Sequence, residues 1–92
     1  MRKYEMMMIL DVDAPLEESK KFVHDTFKAN KVNILNEKDM GQRELAYTIN
    51  KKKRGHYLLM DLEAEQTVLT NIAREFKLNS QVMRQIFFVK GK

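Results

Sequence analysis

The order of apolar patterns along the chain predicts an α+β fold, a two-layer sandwich in which two helices cover one face of a four-stranded antiparallel sheet. Four segments have strand patterns and two have helical spacing, in the order strand, helix, strand, strand, helix, strand. The chain has 92 residues, 43% of them hydrophobic, with one Pro and three Gly. This length and composition predict one compact domain spanning residues 1–92.

The first strand is predicted over residues 4–10, because this segment is apolar on both faces and is bounded by charged residues. A helix is expected next, with Asp13 as its N-cap and Pro15 in its first turn. Asn30 is expected to end that helix in a left-handed conformation. The apolar and small residues at helical spacing, which predict its buried stripe, are Leu16, Ser19, Val23, Thr26 and Phe27.

The middle of the chain predicts two strands joined by a hairpin. Residues 32–36 have strand composition, residues 39–41 are expected to form a bulge or a turn, and residues 44–49 alternate as a half-buried strand does. Gly55, which follows four consecutive cations, is typical of a hairpin tip. The dry face of the next strand is predicted to comprise Leu58, Met60, Leu62 and Ala64.

A second helix is predicted over residues 67–77, with Val68, Leu69, Ile72 and Phe76 as its apolar stripe and Asn79 at its end. The last strand is predicted over residues 82–90. Its alternation places Val82, Ile86 and Phe88 on the face that they share with Arg84 and Lys90. Right-handed crossovers put the first and third strands at the centre and both helices on one face, which is the ferredoxin-like βαββαβ arrangement. Function is therefore expected on the uncovered sheet face.

The composition excludes several kinds of chemistry. The chain has no Cys, so it has no disulfide, no thiolate zinc site and no cysteine nucleophile, which suits a reducing cytoplasm. Its longest apolar run, residues 6–10, is far shorter than the ~20 residues of a bilayer-spanning helix, and no signal peptide precedes it. We therefore expect a cytoplasmic protein without a membrane segment.

Candidate catalytic residues are few. His24 and His56 are isolated in the sequence, and Asp11 and Asp13 lack a third metal ligand. The loop after the first strand, residues 11–15, is acidic and lacks the glycine of the anion loop in small phosphatases of this topology. We expect no enzyme activity, metal, cofactor or small-molecule substrate. Turnover of acyl or phosphoryl substrates that is lost in His56→Ala would instead favour an enzyme.

Positive charge is concentrated in the middle of the chain. The successive thirds carry net charges of −1, +4 and +1. The excess in the middle third is accounted for by Lys51, Lys52, Lys53 and Arg54. Such a run is either a solvated turn or a phosphate-binding finger, and the charge count alone leaves both interpretations open.

Further cations lie beside tyrosines along the predicted strands. Arg2 and Lys3 precede Tyr4, Arg43 precedes Tyr47, the basic run precedes Tyr57, and Arg84 and Lys90 belong to the last strand. Nucleic-acid binding requires cations that contact phosphates and flat side chains that stack on bases, preferably on one surface. We expect phosphate and shape contacts to dominate over base stacking. The alternative for Tyr47 and Tyr57 is a cross-strand packing pair.

One stretch of the sequence, Gly-x-Arg-x-Leu-Ala-Tyr-x-Ile, has a specific motif. The residues that carry the wider resemblance are Arg2, Tyr4, Glu5, Gly41, Arg43, Leu45, Ala46, Tyr47, Ile49, Lys51, His56, Tyr57, Leu58, Leu59, Met60, Phe76, Asn79, Val82 and Arg84. Together they resemble the bacterial small-subunit ribosomal protein six family over nearly the whole chain. The resemblance implies a ferredoxin-like protein that pairs with small-subunit ribosomal protein eighteen. It also implies binding to the central domain of small-subunit rRNA, on the platform.

Arg2, Tyr4, Tyr47 and Arg84 match motif positions of this family and are its implied contacts to RNA or the partner protein. Two departures stand out: Thr48 replaces a Pro found in many members, and the chain ends at Lys92 where some members have an acidic tail. Neither alters the expected binding surface. Alanine at Tyr4 or Arg84 is expected to weaken assembly while leaving thermal unfolding nearly unchanged.

The resulting hypothesis is a structural, RNA-binding component of the small ribosomal subunit. Its predicted RNA or partner contacts are Arg2, Lys3, Tyr4, Arg43, Tyr47, Lys51, Lys52, Lys53, Arg54, Tyr57, Arg84 and Lys90. The alternative is a protein-interaction module of the same fold, for which RNA contact is incidental.

Overall fold

The computed structural model describes residues 2–49 and 51–90. The departure from the family pattern at Lys92 therefore lies outside the described residues. The elements are β1 (Arg2–Leu10), α1 (Leu16–Ala29), β2 (Asn33–Ile49), β3 (Lys52–Ala64), α2 (Gln66–Lys77) and β4 (Val82–Val89). The four strands form one antiparallel sheet in the order β2-β3-β1-β4. The ferredoxin-like α+β prediction is confirmed. Within the described residues, neither helix is long and apolar enough to cross a membrane.

The core lies between the helices and one face of the two central strands. On β1, every second residue from Tyr4 to Leu10 is buried, and the same alternation on β3 buries Leu58, Met60, Leu62 and Ala64. The register pairs Met6 with Met60 and Met8 with Leu58, so these side chains share one face of the sheet. The predicted dry face of β3 is confirmed.

Aromatic contacts hold the two helices together over this face. The ring of Phe76 in α2 lies 5.7 Å from the rings of both Phe22 and Phe27 in α1, measured between centroids. The buried residues of α1 are Ser19, Val23, Thr26 and Phe27, as helical spacing predicted. Edge-to-face and tilted ring pairs of this kind add to the stabilisation that burial alone provides.

The ends of α1 differ from the prediction. The N-cap is Pro15 rather than Asp13, and among the described residues no side chain caps the helix start. The carboxylate of Asp13 instead binds the ammonium group of Lys52. Asn30 has a φ of −101°, whereas Lys31 is the left-handed residue with a φ of 60°. Because the Asn30 side chain donates to the Thr26 carbonyl oxygen at 2.8 Å, it stabilises the helix end without a left-handed backbone.

β2 is one continuous strand of 17 residues with local register shifts. One shift falls between Asp39 and Gly41, where a bulge or turn was predicted. Gly41 has a φ of 78°, a conformation that residues with a Cβ rarely adopt, and its N–H donates to Asp39 Oδ1 at 2.9 Å. Bulges of this kind also discourage an edge strand such as β2 from pairing with another chain.

Gly55 does not form the hairpin tip, contrary to the prediction. Ile49 pairs with Lys52, so the two strands are joined before Lys52, and Lys51 has a φ of 65°. Gly55 belongs to β3, where an added Cβ would lie only 2.3 Å from Ile9 Cγ2. Its lack of a side chain therefore serves the close approach of β1 rather than the turn.

The predicted face of Val82 is wrong. A register shift between Ile9 and Leu10 of β1 pairs Leu10 with Val82 and Ile9 with Arg84. Val82 is consequently buried on the helix side with Leu10, whereas Arg84, Ile86 and Phe88 remain on the opposite face. Strict alternation would place Val82 on the same face as these three residues, and the bulge moves it to the helix side.

Tyr4 is a core residue rather than a surface contact. It is 3% exposed, its ring makes an edge contact with Phe87 at 5.9 Å, and its hydroxyl has no hydrogen-bond partner among the described residues. The expectation that Tyr4→Ala would leave stability unchanged therefore does not fit its position. Its ring is packed because Tyr4 lies on the helix-facing side of β1, opposite Leu62.

We expect Tyr4→Ala to lower the free energy of unfolding by about 3 kcal/mol or more, since it removes a buried aromatic side chain. Tyr4→Phe should change that free energy by less than about 1 kcal/mol, because the hydroxyl it removes is unpaired. Denaturant titration measures both values, with Tyr47→Ala as the exposed control. A large loss of stability in Tyr4→Phe would contradict this account.

Candidate nucleic-acid interface

The sheet face opposite the helices carries an apolar strip at its centre. Register pairs place Met7 beside Leu59 on one side and beside Ile86 on the other. Phe88 continues the strip along β4. Ile86 is 53% exposed and Phe88 is 49% exposed, whereas Met7 and Leu59 are half-buried. We refer to Met7, Leu59, Ile86 and Phe88 as the apolar strip. The alternation along β4 predicts a shared face for Ile86, Phe88 and Arg84, but nothing in the sequence pattern alone indicates that this strip is exposed.

One end of this face is formed by the hairpin arm, which we define as residues 45–49 and 51–54. Beyond the pair Glu44 and Arg54, the next register pair is Ile49 and Lys52, so residues 45–48 bulge out of the ladder. This bulge brings Tyr47 to Arg84 of β4. The Arg84 guanidinium lies 5.5 Å from the Tyr47 ring centroid and donates to the Tyr47 hydroxyl.

Tyr47 and Tyr57 lie at the same place on this face. Together with Ile9, Leu45 and Arg84, they line a small cavity of about 90 Å³. Tyr47 remains 60% exposed and Tyr57 is half-buried. Tyr47 therefore offers an exposed ring next to a cation, a combination that suits an unpaired base or an apolar side chain.

The four cations of the basic run do not have equivalent surroundings. Lys51, Lys53 and Arg54 are exposed. The Lys52 ammonium binds the carboxylate of Asp13 and lies 3.3 Å from Asp11 Oδ1. The hydrogen bond to Asp13, with Asp11 adding to it, raises the pKa of Lys52 above its usual value. Three cations of the run are thus presented to solvent.

Arg43 adds a cation on the open face of the sheet. It is exposed and pairs in register with Gly55, and its Nε donates to the Met40 carbonyl oxygen at 3.4 Å. The predicted site residues at the hairpin end are therefore Arg43, Tyr47, Lys51, Lys52, Lys53, Arg54, Tyr57 and Arg84.

The remaining predicted cations lie at the opposite end of the sheet. Arg2, Lys3 and Lys90 line a groove of about 630 Å³ together with Leu35, Asn36, Asp61 and Val89. β1 has nine residues, and at ~3.3 Å per residue its two ends are roughly 26 Å apart. The predicted site residues therefore form two separate groups rather than one patch, and the buried Tyr4 belongs to neither.

Carboxylates offset the cations at this second end. Lys90 Nζ lies 2.7 Å from Asp61 Oδ2, and this hydrogen bond raises the pKa of Lys90. Lys3 is opposite Glu63 and Glu5 is opposite Asp61 in the β1 and β3 register. A phosphate at this end would therefore meet repulsion as well as attraction.

The two histidines form carboxylate contacts that tie α1, β2 and β3 together. His56 is 9% exposed, and its Nε2 lies 2.6 Å from Asp39 Oδ1; Asp39 Oδ2 also lies 2.6 Å from Lys20 Nζ. His24 Nε2 lies 2.6 Å from Glu37 Oε1. These contacts give His56 a structural role between the layers. Within residues 2–49 and 51–90, no group of three or more His, Cys, Asp or Glu residues could hold a metal ion.

The pKa of the Asp39 carboxyl predicts a dependence of stability on acid pH. Folding lowers this pKa from 3.8 to about 2; the hydrogen bond from Lys20 is the largest cause, and hydrogen bonds from the Gly41 N–H and His56 contribute to the same shift. A pKa that is depressed by folding stabilises the protein above the unfolded value, and that contribution is lost as pH falls toward about 2.

We expect Asp39→Asn to flatten the decline of the unfolding free energy between pH 4 and pH 2, roughly the interval between the two pKa values of Asp39. Denaturant titrations across this range measure the slope. In Lys20→Gln, NMR titration should show the Asp39 pKa moving back toward its ordinary value. An Asp39→Asn variant with the same slope as the unaltered protein would contradict this explanation.

Comparison with known sequences gives one consistent result. The family model described as Ribosomal protein S6 matches residues 3–89. The chain is 38% identical to the small ribosomal subunit protein bS6 of Variovorax paradoxus, covering 100% of this chain and 76% of that protein. It is 36% identical to the bS6 protein of an Exiguobacterium species, covering 94% of each.

The fold comparison agrees with the sequence comparison. The crystal structure of 30S ribosomal protein S6 from Thermotoga maritima superposes with a TM-score of 0.83 at 25% sequence identity, covering 97% of this chain and 87% of that chain.

Proposed function

Because the chain belongs to the Ribosomal protein S6 family, we propose that it binds small-subunit rRNA together with small-subunit ribosomal protein eighteen. The proposed RNA target is the central domain, on the platform. The chain is a non-enzymatic, structural component of the small ribosomal subunit and resides on the ribosome in the cytoplasm. The observation that carries the proposal is the cationic hairpin end of the uncovered sheet face.

Charge favours the hairpin end as the RNA site. Arg43, Lys51, Lys53, Arg54 and Arg84 are all exposed there. The nearby carboxylates of Asp11 and Asp13 are already bound to Lys52. Affinity for a nucleic acid grows with the number of phosphates that cations neutralise. The opposite end, where Glu5, Asp61 and Glu63 accompany the cations, is less suited to that task.

The apolar strip is the proposed docking surface for the partner protein. Exposed Ile86 and Phe88 lie beside half-buried Met7 and Leu59, so their burial by a second protein would remove a continuous apolar surface from water. The strip adjoins Arg84, which belongs to the hairpin end. A partner on the strip would therefore lie next to RNA bound at the arm.

The same strip also favours the second candidate, a protein-interaction module for which RNA contact is incidental. A net charge of +4 is small for a protein that binds RNA alone. The two candidates predict different effects on binding when the cations of the arm are replaced by neutral residues. Partner binding alone would be insensitive to loss of the arm cations, whereas joint binding of RNA would not.

We expect the complex of this chain with its partner to bind the rRNA fragment with an affinity that falls steeply with salt. Lys53→Gln and Arg54→Gln should each reduce the slope of log K against log salt by about 0.7 to 0.9 per lost phosphate contact. Filter-binding titrations measure the slopes. Lys21→Gln, on the exposed side of α1, is the matched control of equal charge.

A flat salt response would contradict the RNA proposal. So would an equal reduction in slope for Lys21→Gln, because that result would mean that overall charge, rather than the arm, determines binding.

We expect Phe88→Ser to weaken partner binding at least tenfold, because it removes a large, half-exposed apolar side chain from the proposed interface. Leu78→Ser is the matched control, since Leu78 is 86% exposed and lies outside the sheet. Isothermal titration calorimetry measures both affinities, and circular dichroism checks that both variants are folded. Normal binding by Phe88→Ser, or an equal loss in Leu78→Ser, would refute the strip as the docking surface.

A further inference from the structure

Lys52 differs from the other cations of the basic run in its contacts. It is half-buried, and it contacts two carboxylates on the loop that joins β1 to α1. Asp11 is the more enclosed partner, with a side chain 19% exposed, whereas the Asp13 side chain is 69% exposed. No register pair connects this loop to the arm, so the contact is made by side chains across elements distant in the sequence.

The loop that supplies these carboxylates is itself fixed. Asp11 Oδ1 accepts a hydrogen bond from the Asp13 N–H at 2.9 Å, which closes an Asx turn. The Asp11 N–H donates to the Gln81 carbonyl oxygen at 2.9 Å, next to the start of β4. The Asp11 carboxylate and the backbone of Asp13 are therefore held by contacts that do not involve Lys52.

The hairpin arm, by contrast, has few ladder contacts of its own. Residues 45–48 bulge away from β3, and Ile49 with Lys52 is the register pair that follows Glu44 with Arg54. Side-chain contacts also connect the arm to other elements, one from within this bulge and one from beyond it. One joins Tyr47 to Arg84, and the other joins Lys52 to Asp11 and Asp13.

We propose that Lys52 is a positioning residue of the RNA site: its ion pair with Asp11 and Asp13 fixes the hairpin arm, so that Lys51, Lys53 and Arg54 provide the phosphate contacts. The part of this inference that concerns RNA rests on the proposed function. A cation whose charge is already balanced by two carboxylates gains little from a phosphate, because it must first leave them. Exposed ion pairs add little to global stability, so the effect should appear in the order of the arm.

The first experiment uses the free protein and does not depend on RNA. We expect Lys52→Gln to increase amide hydrogen exchange in the hairpin arm at least threefold, while exchange in the buried segments of β1 and β3 stays unchanged. Lys53→Gln removes the same charge without the ion pair and should leave exchange in the arm as it is. Lys52→Arg, which keeps the charge, should preserve protection of the arm. Unchanged exchange in Lys52→Gln would overturn the proposal.

The second experiment measures rRNA binding with the partner protein present. Lys53→Gln should reduce the salt slope, whereas Lys52→Gln should leave the slope unchanged and lower affinity about threefold to tenfold at fixed salt, through the loosened arm. In an Asp11→Asn, Asp13→Asn background, Lys52→Gln should have no further effect on exchange in the arm. An equal loss of slope in Lys52→Gln and Lys53→Gln would show that Lys52 contacts phosphate directly.

The two experiments separate failure of this inference from failure of the proposed function. If Lys53→Gln and Arg54→Gln both leave rRNA affinity unchanged, the proposed RNA site is wrong. The exchange measurement on the free protein still decides whether Lys52 holds the arm.

Discussion

Two helices cover one face of the four-stranded sheet, and their packing determines which residues lie on the open face. The alternate residues of β1 and β3 that face the helices are fully or almost fully buried, and Phe76 of α2 packs against Phe22 and Phe27 of α1. This packing fixes the register of the central strands, because a slip of one residue would turn the buried set toward water. It thereby fixes the opposite face, on which Met7, Leu59 and Tyr57 lie.

The open face combines surfaces of different chemistry along one direction of the sheet. Cations and exposed Tyr47 form the hairpin end, the apolar strip lies in the middle, and cations balanced by carboxylates form the other end. A protein with a net charge of +4 can bind RNA through such a surface if its charge is concentrated and a partner covers the apolar part. The arrangement is therefore consistent with shared binding, in which neither component needs a strongly basic surface of its own.

The sequence predicted what depends on local periodicity, and it failed where distant residues meet. The element order, the central strands and the stripe of α1 follow from patterns of period 2 and 3.6, which burial under the helices explains. Val82 was assigned to the wrong face because strict alternation does not reveal a bulge in the register. Gly55 was assigned to the turn because a glycine required by the close approach of Ile9 looks the same in the sequence as a glycine that forms a turn. Tyr4 resembled a surface aromatic beside two cations. The Lys52 ion pair joins residues 39 positions apart, which composition cannot reveal.

The central claim is that RNA binds at the hairpin end of the open sheet face, and lysine acetylation of the assembled small subunit tests it most directly. Mass spectrometry would compare the reactivity of each lysine in the free chain and in the subunit. Lys51 and Lys53 are expected to become protected on assembly, while Lys21 on α1 should remain as reactive as in the free chain. Protection of Lys21 with undiminished reactivity at Lys51 and Lys53 would place the helical face against RNA and contradict the account.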